Sequence, residues 1–408
     1  MNSLDDLKHS LTEEKIKNGK ARSTPQLRPE STFPFPPDFN GTISRGPSPN
    51  RGASVRDVDA IGPDSESKRE WQKKRGIDLS KQVKIVKLSH MRYQHPDLNK
   101  ITTFLRDFGM HVLKKSENER WYRGYGPDQY IYYAKQGPKK FLGGAFEVES
   151  RDELEKVMKV PGATVLTNGI EEMTDAPGGG YIVTIADPEG FPVNFIYGQA
   201  EVKEERKKPG KLVFNDEVDK PRRKAFQRFE PGPAEIHKLG HFGLNVENFS
   251  AQMDWYTRYF NITPSDILYI PLDKIDPETN APARKEVAVF AHIDRGQDLV
   301  DHHTMFLTTL SPGVEKHVHH SSFEVHDFDT QELGHQWLAE KKYEPVWGVG
   351  RHILGSQIFD YWWDVHGFMV EHYVDGDLVN EDTPLGYGPA GHEGLAVWGP
   401  EVPKEFLE

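Results

Sequence analysis

The chain has 408 residues, a formal net charge of -12 at pH 7 and no cysteine. The lack of cysteine excludes disulfides, Cys-ligated zinc, iron–sulfur clusters and a cysteine nucleophile, and the negative charge argues against nucleic acid and anionic membranes as partners. No stretch approaches the roughly 18 consecutive apolar residues that a membrane helix needs, and the first residues lack an apolar signal segment. We therefore expect a cytoplasmic protein with two domains or one large duplicated domain.

Taken in chain order, residues 1–80 are predicted to be an extension, because their Pro-, Ser-, Gly- and Arg-rich sequence has no apolar period. In residues 81–200 the apolar pattern predicts a strand, a helix and further strands, with a second helix before the last two. After a charged linker, 201–235, the same order returns in 236–380, which indicates two homologous modules. The Gly- and Pro-rich tail, 381–408, is a candidate lid, and packing against a neighbouring subunit is the alternative.

One sequence motif of three segments occurs in both modules. It is intact in the second module and altered in the first. The second copy reads KLGHFGLNV, HVHHSSFEV and DVHGFMVEHY, and it contains His241, His320 and Glu371. Aligning FEV with FEV and DPEGFPVN with DVHGFMVE puts Gly143 opposite His320 and Asn194 opposite Glu371. This pattern is expected of a duplicated scaffold in which only one half has kept a metal site.

Two histidines and one carboxylate form the ligand set of non-heme Fe(II) oxygenases and leave about three coordination positions open for substrate and O2. The alternative interpretation is that each residue is an ordinary polar side chain on a strand. Three matched positions in one copy, two of them lost from the other, favour ligation. Neighbouring side chains on a strand point to opposite faces, so His319 and His320 cannot both be ligands. We assign His320 and expect His319 to support it.

The segment GRHILGSQIFDYWWDVHGFMVEHY resembles the signature of the type I extradiol catechol dioxygenases, members of the vicinal oxygen chelate superfamily together with glyoxalases and bleomycin resistance proteins. His352, Tyr361 and Glu371 follow one another in the order of that signature, and Val365 stands where proline is usual. HHTMFL and HVHHSSF resemble the two central strands of the family. The resemblance covers about residues 83–380 and leaves out the extension and the tail.

The resemblance implies an α+β fold made of two tandem vicinal-oxygen-chelate modules, in which paired βαβββ units form curved, barrel-like sheets. It places the metal in the C-terminal module only, and the family ligand is the second histidine of the HH pair, which corresponds to His320. It also implies roles for further residues. These are His303 as the distal acid–base group on a predicted strand, with His302 as the register alternative, His352 and Tyr361 as hydrogen-bond partners of the bound catechol, and Arg351 as a possible contact for an anionic substituent.

The function implied is a non-heme Fe(II)-dependent extradiol dioxygenase that inserts O2 into a catechol and gives a muconic-semialdehyde-type product, with Mn(II) as a possible replacement for Fe(II). The expected partners are a small-molecule catechol, O2 and copies of the same chain in a dimer or tetramer. Two alternatives stay open: another metal-dependent enzyme of the superfamily, such as a hydroquinone-cleaving dioxygenase or a glyoxalase-like isomerase, and a metal-free binding protein. Gly143 and Asn194 argue against a glyoxalase-type site, whose ligands come from both modules.

Overall fold

The computed structural model describes residues 65–202, 209–277, 282–391 and 395–407. Most of the predicted extension therefore lies outside the described residues. The part that is described contains two α+β modules in tandem, each built around one large mixed sheet. Within these ranges no helix combines the length and the apolar character that crossing a lipid bilayer would require.

The N-terminal module has a sheet with the strand order β2-β3-β4-β1-β5-β9-β8-β6, and β7 pairs with β8 at its edge. Short helices follow its first and fifth strands. In chain order the elements are α1 (Lys68–Lys74), β1 (Ile85–His95), α2 (Leu98–Asp107), β2 (His111–Lys115), β3 (Glu119–Arg123), β4 (Tyr132–Gln136), β5 (Lys140–Val148), α3 (Arg151–Val157), β6 (Thr164–Val165), β7 (Glu171–Glu172), β8 (Tyr181–Ala186) and β9 (Pro192–Tyr197).

The C-terminal module has a larger sheet with the order β20-β11-β12-β14-β10-β15-β18-β17-β16-β21, and β13 pairs separately with β19. Its elements are β10 (Ile236–Val246), α4 (Phe249–Tyr259), β11 (Ile262–Ile275), β12 (Pro282–Ile293), β13 (Val300–Asp301), β14 (Met305–Thr309), β15 (His317–Val325), α5 (Phe328–Glu340), β16 (Pro345–His352), β17 (Ile358–Trp363), β18 (Met369–Val374), β19 (Leu378–Val379), β20 (Gly386–Pro389), β21 (Ala396–Trp398) and α6 (Lys404–Leu407).

The two modules share one strand register. In each, the first long strand (β1 or β10) pairs in parallel with one neighbour and antiparallel with the next (β5 or β15). The latter strand then pairs in parallel with the strand that contains the third part of the repeat. The register agrees with the alignment of the two sequence copies. The residues at equivalent positions are His90 and His241, Ala145 and Ser322, and Asn194 and Glu371.

Helices α2 to α5 begin where the sequence supplies a capping side chain. Ser150 caps α3 by accepting a hydrogen bond from the backbone N–H of Glu153. Asp97, Asn248 and Asp327 cap the other three in the same way. Such a cap satisfies N–H groups that have no partner within the helix.

The end of the predicted extension is packed structure rather than loose chain. Helix α1 and the residues that flank it lie against the C-terminal module, although they precede the N-terminal module in sequence. The backbone of Glu66 pairs with that of Leu385, and the guanidinium of Arg75 binds the carboxylate of Glu286 at 2.9 Å. Lys68 is only 3% exposed. Residues beyond 64 therefore contribute to the module that follows the linker.

The two modules also meet at a pair of histidines, of which His95 is buried. His95 of β1 has its Nε2 atom 2.8 Å from the hydroxyl of Tyr132 and its Nδ1 atom 3.0 Å from Nδ1 of His366. Burial lowers the pKa of His95 to about 3, and the neighbouring His366 and Lys139 act in the same direction. The folded protein therefore holds this imidazole in its neutral form.

We expect the protein to lose stability when the pH falls below 6.5, because the unfolded chain binds a proton to His95 and the folded chain does not. For a histidine with a pKa of about 3 when folded, the loss between pH 7 and pH 4.5 amounts to about 2–3 kcal/mol. Urea unfolding at both pH values should show this loss in the wild type and a smaller one in His95→Gln. The control is His111→Gln, since that side chain is 41% exposed. An identical pH dependence in all three proteins would contradict the assignment.

Candidate metal centre

Three neighbouring strands bring together the residues of the intact repeat. His241 lies on β10, His320 on β15 and Glu371 on β18, and these strands are adjacent in the sheet. Ser322 is the register partner of both His241 and Glu371. His320 precedes Ser322 by two residues, so its side chain is on the same face of the sheet. The pairing of strands, rather than a loop, thus fixes the positions of all three side chains.

The three side chains converge on one buried point. The Oε2 atom of Glu371 is 3.2 Å from Nε2 of His241 and 3.6 Å from Nε2 of His320, and the three potential ligand atoms all lie within 4.8 Å of one another. Adjacent ligands of an octahedral ion with bonds of about 2.1 Å are about 3 Å apart. The spacing of the donor atoms therefore suits a divalent metal ion.

The hydrogen bonding of the same atoms also fits a metal. Glu371 is 0% exposed. Within the part of the chain that the structure describes, neither of its carboxylate oxygens has a hydrogen-bond partner, and the same holds for Nε2 of His320. Buried polar atoms are nearly always paired, and a buried carboxylate needs a compensating charge. Two imidazoles and a carboxylate are suitable ligands for a borderline divalent ion.

His319 supports the ring of His320. Burial lowers the pKa of His319 to about 4, so the ring is neutral. Its Nε2–H donates to the carbonyl oxygen of Phe406 at 2.8 Å, and its Nδ1 atom lies 2.7 Å from Nδ1 of His320. His319 Nδ1 therefore accepts the proton of His320 Nδ1, which leaves Nε2 of His320 free to ligate. Such outer contacts orient metal ligands.

The equivalent point of the N-terminal module is closed. The amide nitrogen of Asn194 donates to the carbonyls of Leu142 and Gly144, and its oxygen accepts from the hydroxyl of Thr184 at 2.8 Å. Gly143 has a φ of +97°, and a Cβ atom there would lie 2.7 Å from that amide nitrogen. The first module thus replaces two ligands with a satisfied amide and a glycine that makes room for it.

The side chains of His303 and His302 contact different groups. The ring of His303 lies 4.0 Å from that of His241, centroid to centroid, whereas His302 directs its Nε2 atom to the carboxylate of Asp266 at 2.7 Å. β14 begins only at Met305, so the strand predicted from His302 onward is too long at its start. Side-chain alternation along a strand consequently does not govern this pair.

His352 and Tyr361 form a pair beside the ligands. Tyr361 is the register partner of Glu371, and its hydroxyl is 3.0 Å from Nε2 of His352. The Nδ1–H of His352 donates to the carbonyl oxygen of Leu395 at 2.8 Å. The ring of Tyr361 also meets that of His320 edge-on at 5.4 Å. The structure thus brings the predicted pair to the metal centre.

Arg351 has its hydrogen bonds elsewhere. Its guanidinium donates to the carbonyl oxygen of Ser356 at 2.6 Å and to the carboxylate of Asp375 at 2.9 Å. The side chain of Asp375 is 69% exposed. These contacts tie Arg351 to the turn before β17 and to solvent, and they do not join it to the ligands.

The tail contributes residues that the sequence did not single out. The ring of Phe406, in α6, lies 4.8 Å from that of Tyr361 and 4.7 Å from that of Trp347. Backbone carbonyls of the tail accept the hydrogen bonds from His319 and His352 described above. Aromatic residues in an otherwise Gly- and Pro-rich tail were the one signal for this contact. Asp266, by contrast, lies on a strand that the sequence did not predict.

Burial sets the protonation of the centre. It lowers the pKa of His303 and of His320 well below the usual range, and the other imidazoles of the cluster act in the same direction. The pKa of His352 is also lowered by burial. Burial raises the pKa of Tyr361 well above 10, and the carboxylate of Glu371 adds to this. His303, His320 and His352 are thus neutral, as metal ligands and bases must be.

Comparison with known proteins agrees with this geometry. Residues 238–371 match the model of the Glyoxalase/Bleomycin resistance protein/Dioxygenase superfamily. Metapyrocatechase 2 of Cupriavidus necator is 26% identical over 330 residues, which make up 78% of this chain and 91% of that relative. The predicted resemblance to type I extradiol dioxygenases of the vicinal oxygen chelate superfamily is confirmed.

Two solved structures have a similar fold. Homoprotocatechuate 2,3-dioxygenase from Arthrobacter globiformis is 20% identical, with a TM-score of 0.62 over 80% of this chain and 92% of its own. A Mn(II)-bound glyoxalase from Novosphingobium aromaticivorans is 17% identical, with a TM-score of 0.61 over 79% of this chain and 94% of its own. The predicted α+β fold class is therefore confirmed.

We expect the chain to bind one divalent metal ion per copy, in the C-terminal module. Glu371→Gln should lose most of that metal, because it removes the only charged ligand of the set. Elemental analysis of the purified protein after dialysis against Fe(II) or Mn(II) measures the content.

The matched control is Asn194→Asp, which introduces a carboxylate at the equivalent position of the other module. It should still bind one ion, since Gly143 offers no imidazole beside it. Two ions in the wild type, or full metal content in Glu371→Gln, would contradict the assignment.

Proposed function

We propose that this chain, a relative of the type I extradiol dioxygenases, is a metal-dependent enzyme that cleaves a catecholic ring with O2. The observation that supports this most directly is the buried His241, His320 and Glu371 set, whose unpaired atoms lie beside His303 and Tyr361. The name of the sequence relative, a metapyrocatechase, and the dioxygenase name of one structural neighbour support the same chemistry.

The proposed metal is Fe(II), with Mn(II) as the alternative that the same ligands accept. When bound, it would supply positive charge that favours deprotonation of the diol and adjacent positions where diol and O2 meet. His241, His320 and Glu371 would hold it. The acids and bases around it belong to the protein.

His303 is proposed to accept a proton from the substrate at its imidazole. It would return that proton later in the reaction. Its lowered pKa, caused by burial, keeps the ring neutral and ready to accept. A positioned histidine of this kind contributes about 10²–10⁴-fold to a reaction rate. The ring of Phe290, 5.1 Å away and edge-on, limits the directions in which His303 can turn.

His352 and Tyr361 are proposed to orient the diol. Because the Nδ1–H of His352 is committed to the Leu395 carbonyl, its Nε2 atom accepts the proton of the Tyr361 hydroxyl. The hydroxyl oxygen of Tyr361 is then available to accept a hydrogen bond from substrate. Its raised pKa keeps the phenol protonated throughout.

Aromatic side chains are proposed to exclude water from the reacting groups. Phe406 covers the ring of Tyr361 from the tail. The ring of Phe290, which contacts His303, lies 4.8 Å from that of Phe306. Displacing water strengthens the electrostatic interactions of the acids and bases in the site. This arrangement supports the proposal that the tail acts as a cover.

The proposed product is a muconic-semialdehyde-type compound, from cleavage of the bond next to the diol. The contacts of Arg351 with Ser356 and Asp375 give no support to its role in binding an anionic substituent. A glyoxalase-like isomerase is the second candidate, favoured by the fold of the Mn(II)-bound neighbour. The closed first module counts against it, since such sites take ligands from both modules. A cytoplasmic location, expected from the sequence, and a homo-oligomeric state, implied by the resemblance, complete the proposal.

We expect the protein, loaded with Fe(II) or Mn(II) without oxygen, to consume O2 when it is mixed with air and a suitable catechol. An oxygen electrode follows uptake, and the visible absorbance of the yellow ring-fission product follows cleavage. His303→Gln should keep the metal and lose about 10²-fold or more in kcat, because it removes the base.

Glu371→Gln should lose both metal and activity, and Asn194→Asp should keep both. A fully metal-loaded wild type that consumes no O2 with any catechol of the panel would refute the proposal. Isomerase turnover of a hemithioacetal by the same preparation would favour the second candidate instead.

A further inference from the structure

His303 is the end of a buried hydrogen-bonded chain of side chains. Its Nδ1 atom lies 3.1 Å from Nδ1 of His302, whose Nε2 atom lies 2.7 Å from a carboxylate oxygen of Asp266. The exposed fractions of the three residues are 3%, 6% and 6%. Solvent therefore does not compete for these hydrogen bonds, and each member restricts the next.

The chemistry of the three groups fixes where their protons lie. A carboxylate only accepts hydrogen bonds, so Nε2 of His302 carries a proton and donates it to Asp266. A His302 ring with this one proton has a lone pair at Nδ1, and only a proton on Nδ1 of His303 can then satisfy the contact between the two rings. The remaining nitrogen of His303, Nε2, is left without a proton.

The backbone of His302 is held as well. The hydroxyl of Ser265 donates to the carbonyl oxygen of His302 at 2.5 Å and accepts from Nδ1 of His292 at 2.7 Å. The ammonium of Lys68, in helix α1, lies 3.2 Å from Nε2 of His292. Burial lowers the pKa of His292 well below the usual range, so this ring accepts at Nε2 and donates at Nδ1. Both the ring and the main chain of His302 are thus anchored.

We infer that Asp266 and His302 are positioning residues that hold His303 in the Nδ1–H tautomer and leave its Nε2 atom as the proton acceptor. This inference rests on the proposed function, in which His303 is the base. Neither residue touches the three metal ligands in the contacts described above, so their effect passes through His303. A catalytic histidine needs such a partner because each neutral tautomer has only one basic nitrogen.

Asp266→Asn tests the inference with almost no change in volume. The amide can donate to Nε2 of His302, which moves the proton of His302 to Nδ1 and that of His303 to Nε2. The base is then blocked while its position is kept. We expect kcat to fall by about 10²-fold or more, with KM within about threefold of the wild type, because a wrong tautomer affects chemistry rather than binding. Asp266→Glu, which keeps the charge, should recover part of the loss.

The matched control is Asp187→Asn in the N-terminal module. Asp187 is also buried, at 3% exposure, and its carboxylate accepts hydrogen bonds from Gln252 and Tyr256 at 3.0 and 2.9 Å. This variant measures the general cost of neutralising a buried aspartate. Its kcat per bound metal should match that of the wild type.

A second measurement does not depend on turnover. Nitrogen-15 NMR of the full chain, loaded with diamagnetic Zn(II) and labelled at histidine, reports which ring nitrogen carries the proton. The signals of His303 are assigned by their loss in His303→Gln. We expect a protonated Nδ1 and an unprotonated Nε2 in the wild type, and the reverse in Asp266→Asn.

The outcomes separate the two proposals. An Nε2–H tautomer of His303 in the wild type, or wild-type kcat in Asp266→Asn, would overturn the positioning role. A loss of kcat in Asp187→Asn equal to that in Asp266→Asn would do the same, since the effect would then be general. A metal-loaded wild type that cleaves no catechol refutes the proposed function by itself, and the NMR result still decides the tautomer.

Discussion

The burial of one carboxylate governs the C-terminal module. Glu371 is fully enclosed, and its oxygens have no hydrogen-bond donor among the described residues. An ionised carboxylate in such a place is very costly unless a positive charge lies against it. Burial lowers the pKa of His303 and His320 and keeps these two rings neutral, so they do not supply that charge. The same low-polarity surroundings that raise the free energy of the ionised carboxylate also make the site selective for a cation.

Duplication explains how the protein can contain such a site and remain stable. The two sheets have the same register. The side chains at the equivalent positions differ in whether their polar atoms are hydrogen-bonded. In the first module Asn194 uses its amide in three hydrogen bonds with the surrounding sheet, which satisfies the polar atoms locally. In the second, the equivalent carboxylate is left unsatisfied. The N-terminal module therefore has its polar atoms satisfied at this position, and it packs as a stable neighbour of the C-terminal module.

The sequence predicted the parts of the site that lie on regular strands and repeat between the modules. His241, His320 and Glu371 follow this rule, because a shared register makes a difference between copies visible. Asp266 does not: it lies on β11, whose sequence contains two prolines and gave no clear strand pattern. The different contacts of His302 and His303 could not be predicted from the sequence either. Both residues precede β14, so side-chain alternation along a strand does not apply to them. What sequence could not supply is the proximity of side chains from irregular or unmatched segments.

Helix α1 has a consequence for how this architecture can be divided. Its residues come before the first module in the chain, yet Lys68 reaches His292 and the carbonyl of Asn380, and Gln72 reaches Thr263. The module with the metal centre is therefore discontinuous in sequence, completed by a segment from the far side of its partner. Recombination at the linker would transfer an unfinished unit, with a buried imidazole deprived of its donor. Duplication gave this chain two similar halves. Because α1 docks on the second half, the two halves cannot be exchanged between proteins as separate modules.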